Sequence, residues 1–318
     1  MKKVVVGFSV LGFGMLFGCG QKQKEEVKTP EVIEQKKASE STEAPQVKEF
    51  VEGALYYKLA IADKEVNDFM QYAVEDPVQL TDLLEKYQKK TSPQTVTYLQ
   101  EFFKNNPRFW VEYGQFPFIR NQVFVAGYEA VYKGEGLTYT YENKWNDLLN
   151  QGYAYLHGTV GMSSEVNLIF DKPYVGMEQM QVKIDTLNYN KTLTGKVKDI
   201  VGYQAQEVVY ELKKEKRTAE FTRPERVVAY VSPSFNGAIN KVLPFFVDEK
   251  NGVLALEIQV EKESNIKLTF EADAIVMRKL TEEETTILST KAFFKTTDEQ
   301  GVQAMRMRIA KIVATPRM

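Results

Sequence analysis

The sequence predicts an α+β fold: an antiparallel β-sheet with a helical insertion near its N-terminal end and a helix at its C-terminal end. Apolar and polar residues alternate through most of residues 109–280, which is the period of half-buried strands. Apolar residues recur every three or four positions over 63–105 and again over 298–313, which is the period of amphipathic helices. Successive strands with short polar turns predict a meander with one buried face.

A strand and three helices are expected first. From Val51 to Ile61 apolar residues alternate with others, as in a half-buried strand. From residue 63 the spacing becomes helical, and Ser92-Pro93 supplies an N-cap followed by a proline at the first helical position. Asp76-Pro77 offers the same pair for the helix before it. The three helices form an insertion at residues 63–105.

The strands are expected between residues 109 and 280. QVFVAGYEAVYKGEGLTYTYE predicts two strands joined by a Gly-rich turn at Lys133–Gly136. The stretch 201–221 predicts a hairpin with Lys213–Lys216 at its tip, and apolar residues alternate clearly from Leu254 to Val260. In the C-terminal helix, one face carries Val302, Met305, Ile309 and Ile312.

Residues 1–18 are expected to form an export signal. Lys2 and Lys3 precede an uncharged, mostly apolar run that is shorter than the roughly 20 residues of a membrane span. Leu16, Phe17 and Gly18 before Cys19 resemble the lipobox of bacterial lipoproteins, which implies signal-peptidase cleavage at this point and a lipid on Cys19. The alternative is an incidental thiol inside a discarded signal peptide.

Residues 19–48 are expected to form a disordered tether. They are rich in Lys, Glu, Gln, Ser and Pro and contain no aromatic residue, so they cannot bury enough apolar surface to offset the entropy lost on ordering. Gly20 follows the cysteine and offers no Asp-type retention signal, so we expect transport to the outer membrane, on either of its faces. Residues 49–318 are expected to form a single domain.

Composition argues against several classes of function. A net charge of −2 with mixed signs predicts no nucleic-acid-binding face. One Cys and one His rule out a cysteine cluster or a pair of histidines as metal ligands. His157 lacks a recognisable nucleophile and orienting partner, so we interpret it as structural, and GKVKDIVG departs from the phosphate-loop pattern. We expect neither a cofactor nor an enzymatic activity.

Two further patterns suggest sites. An aromatic cluster in residues 106–118 fits either a packed core or the lining of an apolar pocket; its members are Phe109, Trp110, Tyr113, Phe116 and Phe118. Asp185-Thr186-Leu187 resembles the sequence that is O-glycosylated in exported Bacteroidetes proteins, which implies a glycan on Thr186.

A further pattern spans residues 197–280. A Gly-aromatic step, Gly202-Tyr203, opens a strand, and a charged hairpin and an irregular Pro-containing stretch at 223–244 follow. Two strands at 252–262 and 266–280 close the pattern, which resembles the LolA/LolB-like half-barrel group of Bacteroidetes proteins. The resemblance implies a curved antiparallel sheet, a half-barrel, around an apolar hollow that holds lipoprotein acyl chains in the best-known members. The insertion at 63–105 would lie in or across that hollow.

Two functions remain as hypotheses. The first is a lipoprotein that holds an acyl chain or another apolar ligand in the half-barrel. The second is a non-enzymatic accessory or structural subunit of an outer-membrane protein assembly, docked through a sheet edge or the C-terminal helix. The expected partners are therefore the membrane through Cys19, a lipid or acyl ligand, and an outer-membrane protein, but no nucleic acid.

Overall fold

A computed structural model describes these residues of the chain: 49–75, 80–106, 116–159, 165–170, 182–217, 223–260, 266–288, 294–295, 303–304, 307–309 and 312. They belong to one unit, Gln46–Met318. The export signal, Cys19 and the tether lie outside the described residues.

The described residues form fourteen strands, and buried positions alternate with less buried ones most clearly in the second half of β1. Their bounds are β1 (Glu52–Ile61), β2 (Arg120–Ala126), β3 (Glu129–Glu135), β4 (Tyr139–Asn146), β5 (Gln151–Gly158), β6 (Glu165–Phe170), β7 (Val182–Ile184), β8 (Tyr189–Ile200), β9 (Tyr203–Leu212), β10 (Arg226–Asn236), β11 (Phe245–Val247), β12 (Asn251–Gln259), β13 (Lys267–Met277) and β14 (Phe294–Lys295). The helices are α1 (Lys64–Glu75), α2 (Leu80–Tyr87), α3 (Pro93–Asn105), α4 (Ala238–Val242) and α5 (Glu282–Thr285), with a 3₁₀ turn at Lys214–Lys216.

Within the described residues, one large sheet has twelve strands in the order β14-β6-β5-β4-β3-β2-β1-β13-β12-β10-β9-β8. β14 runs parallel to β6, and the other pairs are antiparallel. The chain leads outward from β1 through β2 to β6, crosses to the far edge at β8, and returns strand by strand to β13 beside β1. The predicted antiparallel meander is confirmed, and among the described strands its two edges do not pair.

The sheet curves around helix α4. This helix contacts β2, β3 and β4 on one side and β12 on the other. β4 and β12 are five positions apart in the sheet, so a flat sheet would separate them by about 24 Å. An α-helix with its side chains is only about 10–12 Å across. The sheet must therefore bend around α4, and we call the side that holds α4 the inner face.

The three helices of the predicted insertion are confirmed as α1, α2 and α3. Asp63 caps α1, because its Oδ1 accepts a hydrogen bond from the backbone N–H of Val66 at 3.0 Å. Ser92 caps α3 in the same way, as its sequence position predicts. α1 packs on β1, while α2 and α3 pack against α1. The buried side of the insertion belongs to the main core through Phe69, Met70, Leu83 and Leu99.

Four details differ from the sequence-based expectations. The region 120–146 holds three strands, because Gly127, with φ +59°, makes a further turn between β2 and β3. β9 pairs with β8 before it and with β10 after it, so the hairpin that begins with β9 does not close within 201–221. The stretch 223–244, expected to be irregular, consists mainly of β10 and α4. Val51 is 56% exposed and does not join the buried face of β1.

The chain after β13 crosses the outer face of the sheet. We call residues 278–288 the outer strap. Lys133 on β3 donates to the carbonyl of Glu283 at 2.7 Å, and Lys144 on β4 donates to the carbonyl of Thr285 at 3.0 Å. β14 then extends the sheet beside β6. The strap therefore leads from the centre of the outer face to the edge of the sheet.

The C-terminal helix is described only in part. Residues 303–304, 307–309 and 312 are helical. Ile309 and Ile312 are buried in the main core, and the carbonyl of Ile312 accepts a hydrogen bond from Thr138 Oγ1 at 3.3 Å. These two residues pack on the domain itself, while Val302 and Met305 lie outside the described residues.

Candidate ligand site on the inner face of the sheet

Strand β4 turns four large side chains toward the inner face. Alternate residues of a strand point to opposite faces. Glu142 and Lys144 contact the outer strap, so their neighbours along the strand face inward. The inward residues, all buried, are Tyr139, Tyr141, Asn143 and Trp145.

Tyr132 of β3 forms a cluster with Tyr139 and Tyr141 of β4. The rings of Tyr132 and Tyr141 have centroids 5.7 Å apart. Burial raises the pKa of Tyr132, Tyr139 and Tyr141, and neighbouring phenols raise the pKa of Tyr132 and Tyr141 further. The three phenols therefore stay neutral at physiological pH and can donate hydrogen bonds.

A glycine makes room for the cluster. Asn121, Gly134 and Tyr141 face one another across β2, β3 and β4. The ring of Tyr132 lies over Gly134, where a Cβ atom would come within 2.2 Å of Tyr132 Oη. Tyr132 Oη donates to Asn121 Oδ1 at 2.7 Å, and Asn121 Nδ2 donates to the carbonyl of Pro117. Gly134 thus lets one phenol lie across the sheet and reach β2.

Two buried polar atoms in this site have no hydrogen-bond partner in the structure. They are Tyr141 Oη and Asn143 Oδ1, and both side chains are almost completely buried, at 1% and 0% exposure. An unpaired buried polar atom costs about 1–3 kcal/mol of stability, so nearly all such atoms in proteins are satisfied by protein or by ordered water. The inner face of β4 can therefore accept a polar group of a bound molecule.

The far end of β4 is tied to α4. Asn143 Nδ2 donates to the carbonyls of Val242 at 3.2 Å and Lys241 at 3.3 Å. Lys241 Nζ lies 2.5 Å from Asp147 Oδ1, which also accepts from Trp145 Nε1 at 2.6 Å. The positive charge of Lys241 is thus neutralised by Asp147 beside the ring of Trp145.

The predicted aromatic cluster lies partly in this core. Phe118 is buried, and half-buried Phe116 packs on Phe245 of β11 with ring centroids 5.1 Å apart. Phe245 in turn contacts Phe270 of β13, which stacks on Tyr57 of β1 at 4.6 Å. The remaining predicted members, Phe109, Trp110 and Tyr113, lie outside the described residues.

The tyrosines and asparagines of the site were not among the predicted site residues. A usable pattern was present, because Tyr139, Tyr141, Asn143 and Trp145 alternate in TYTYENKW, as on one face of a strand. An asparagine on an otherwise aromatic face is a buried polar group that needs partners. The partner of Asn143 on α4 is nearly one hundred residues away, so the sequence does not show it.

His157 lies on the outer face. Its Nδ1 is 3.7 Å from Glu165 Oε1, and its ring is parallel to that of Tyr155 at 6.4 Å between centroids. Burial raises the pKa of Tyr155 to about 12, with further contributions from Glu165 and Glu142.

Among the described residues, no group of three or more His, Cys, Asp or Glu side chains could hold a metal ion.

Thr186 lies on an exposed turn. Asp185 is buried and organises the turn, since its Oδ1 accepts from the backbone and side-chain nitrogens of Asn188 at 3.0 and 2.7 Å. Lys213 Nζ donates to the backbone carbonyl of Thr186 at 2.8 Å. The Thr186 side chain is therefore accessible while its backbone is held in place.

Comparisons with known proteins leave the family open. No protein-family model and no curated protein matches the chain. One similar solved structure is described as "Structure of PNGF-II in C2 space group"; it is 11% identical with a TM-score of 0.37 and covers 60% of this chain. The match spans only 30% of that protein's chain.

In the part of the chain that the structure describes, no helix combines the length and the apolar character that a membrane span requires.

Proposed function

We propose that the protein is a lipid-anchored outer-membrane lipoprotein whose β-rich domain, a half-barrel, binds an apolar ligand such as an acyl chain. The observation that carries this proposal is the inner face of the curved sheet. Its described side chains form one large apolar and aromatic cluster that runs from β6 to β9. A face of this kind is the common lining of sites for apolar ligands.

The cover of the inner face supports the proposal. It consists of α1–α3, α4 and the described C-terminal helical residues, rather than a second large sheet. α1 packs on β1, and α2 and α3 pack against α1. A helical layer held in this way can tilt without breaking strand pairing, and shifts of packed helices are a common form of opening.

A photoactivatable, uncharged acyl probe tests the binding face. We expect diazirine-labelled methyl palmitate to crosslink to peptides that contain β4, β5 or residues 116–118 of the purified full chain. An excess of unlabelled methyl palmitate should abolish these crosslinks while surface labelling persists. Labelling confined to exposed residues such as Leu193, which is 68% exposed, would contradict binding at the inner face.

The proposed anchor is tested separately at Cys19. Cys19→Ser removes the only thiol, so it should abolish labelling with radioactive palmitate and leave the signal uncleaved. Gly20→Ala keeps the cysteine and serves as the matched control. If Cys19→Ser still fractionates with the outer membrane as a shortened species, the lipid anchor is wrong.

The second candidate function is an accessory subunit of an outer-membrane assembly, and the edge strand β8 favours it. β8 is twelve residues long, has a strand neighbour on one side, and exposes Leu193 and Val197. Such an edge can pair with a strand of another protein. A photoreactive amino acid at position 193 should then crosslink to one discrete partner in intact cells. The same photoreactive amino acid at the exposed position of Asn190 should give a lower yield of this crosslinked product.

We also propose that Thr186 carries an O-linked glycan, because its turn is exposed. The intact mass of the Thr186→Ala protein should fall by more than the side-chain difference if a glycan is present. Thr192→Ala, in the exposed strand β8, is the control.

A further inference from the structure

The unpaired atoms of Tyr141 and Asn143 define what kind of ligand group fits between them. Asn143 Nδ2 is already bonded to the carbonyls of α4, so its free capacity is the acceptor Oδ1. Tyr141 Oη has a free proton and free lone pairs. The Cα atoms of the two residues are about 7 Å apart along one face of β4, so one ligand can extend to both side chains.

The hydrogen-bonding atoms left free on Tyr141 and Asn143 restrict the chemical class of the ligand. A group that satisfies Asn143 Oδ1 must donate a proton, which a carboxylate or phosphate oxygen cannot do. The cation that the structure describes beside this end of β4, Lys241, is paired with Asp147 at 2.5 Å. A charged head group would therefore be buried without a counter-charge from Lys241, at a high cost. A hydroxyl group both donates and accepts and carries no charge.

We propose that the inner face binds a neutral lipid whose free hydroxyl group is held between Tyr141 Oη and Asn143 Oδ1. This inference rests on the proposed function and names its ligand class: a long-chain alcohol or an acylglycerol, rather than an ionised fatty acid. The acyl chain then lies along the aromatic core, and the hydroxyl group supplies the hydrogen bonds that Tyr141 Oη and Asn143 Oδ1 lack.

The test compares two probes of equal chain length. Oleyl alcohol and 1-octadecene compete with diphenylhexatriene bound to the purified full chain in detergent micelles, after correction for probe in micelles alone. We expect the alcohol to bind about tenfold more tightly than the alkene, which corresponds to one or two net hydrogen bonds. Tyr141→Phe should reduce this preference to below about threefold. Tyr153→Phe removes a phenol from the outer face of β5 and should leave it unchanged.

A melting measurement separates a ligand site from a site filled by water. Because the Tyr141 hydroxyl has no partner in the structure, Tyr141→Phe should not lower the melting temperature of lipid-free protein. A lower melting temperature with unchanged preference for the alcohol would mean that a structural water occupies the site, and the inference would be overturned.

The remaining outcomes separate this inference from the proposed function. If neither the alcohol nor the alkene displaces the probe, the proposed function itself fails. If both bind equally to the wild-type protein, or if Tyr141→Phe retains the tenfold preference, apolar binding stands and the hydroxyl site is wrong.

Discussion

Asn143 on β4 donates its side-chain amide to the carbonyl of Val242, the last residue of α4, at 3.2 Å across the inner face of the sheet. This bond joins one arm of the curved sheet to the helix around which the sheet bends. The other arm is joined by Asn240 of α4, whose Nδ2 donates to the carbonyl of Asn251 at 2.8 Å. The five-residue helix is therefore fixed from both sides by asparagines.

Removing Asn240 should cost more stability than removing any exposed asparagine. Its Oδ1 accepts from the backbone N–H of Val253 at 2.8 Å, and its Nδ2 also bonds the carbonyl of Glu249. Asn240→Ala leaves these backbone groups without their partner, so we expect a loss of about 3 kcal/mol or more in the free energy of unfolding. Urea denaturation measures it. Asn190→Ala, on exposed β8, should change the value by less than about 0.5 kcal/mol.

A methyl group at Gly134 should displace Tyr132. The added Cβ would lie 2.2 Å from Tyr132 Oη and 2.6 Å from two ring carbons. Gly134→Ala should therefore destabilise the protein by about 1–3 kcal/mol through overpacking and loss of the bond to Asn121. A double-mutant cycle with Tyr132→Leu checks the cause, because the smaller side chain should relieve the clash. Additive effects of the two changes would contradict this explanation.

The turn between β8 and β9 stores backbone strain that can be removed. Val201 has φ +51° and Gly202 has φ +82°, a left-handed pair in a two-residue hairpin turn. A β-branched residue is disfavoured there by roughly 1–2 kcal/mol, and Asn-Gly is the favoured pair. Val201→Asn should stabilise the protein by about 1 kcal/mol in urea denaturation. Val197→Asn, at an exposed strand position, should not increase the stability of the protein.

The contribution of the outer strap to the stability of the protein should depend on pH in the acid range. Hydrogen bonds from Arg278, at 2.8 and 2.5 Å, lower the pKa of Glu284 from 4.5 to about 2. Because the folded state lowers this pKa, the stabilisation is present above pH 4.5 and is lost as the pH falls toward 2. The stability difference between wild type and Glu284→Gln should thus be constant above about pH 5 and shrink below it.

The control for Glu284 is the preceding residue of the outer strap, Glu283. Glu283 contacts β3 through its backbone carbonyl, so Glu283→Gln should leave the acid dependence of stability unchanged. Equal effects of Glu283→Gln and Glu284→Gln would show that general charge, rather than the Arg278 pair, sets the dependence. Since the side chains of Arg278 and Glu284 are partly exposed to solvent, at 35% and 20%, salt should weaken the effect.

The alternation of apolar residues predicted the strands well and the turns less well. Leu254, Leu256, Ile258 and Val260 are all buried, as their spacing predicts. The turn at Gly127-Tyr128 was missed because it interrupts a continuous apolar run by only two residues. The resemblance implied an irregular, Pro-containing stretch at 223–244, and this stretch includes Pro233, although proline is rare inside strands. Pro233 lies in β10 where pairing with β12 is interrupted, between Ser232 and Asn236, so no ladder bond is lost.

The helical insertion was predictable because its caps are local, whereas the candidate site on the inner face was not. Ser92 and Asp63 cap helices through residues three positions away. The site depends on Asn121, Tyr132 and Asn143, which meet because of strand register and the position of α4. Those contacts span up to about one hundred residues, and no local pattern encodes them.

Native mass spectrometry of the full chain, purified from its own membranes and released from detergent micelles, tests whether the β-rich domain holds a neutral lipid. We expect a bound neutral lipid in addition to the proposed covalent lipid on Cys19, lost as one species on collisional activation and recovered by solvent extraction. A protein that carries no lipid beyond the proposed anchor, and that takes up none when oleyl alcohol is added, would contradict the proposed function.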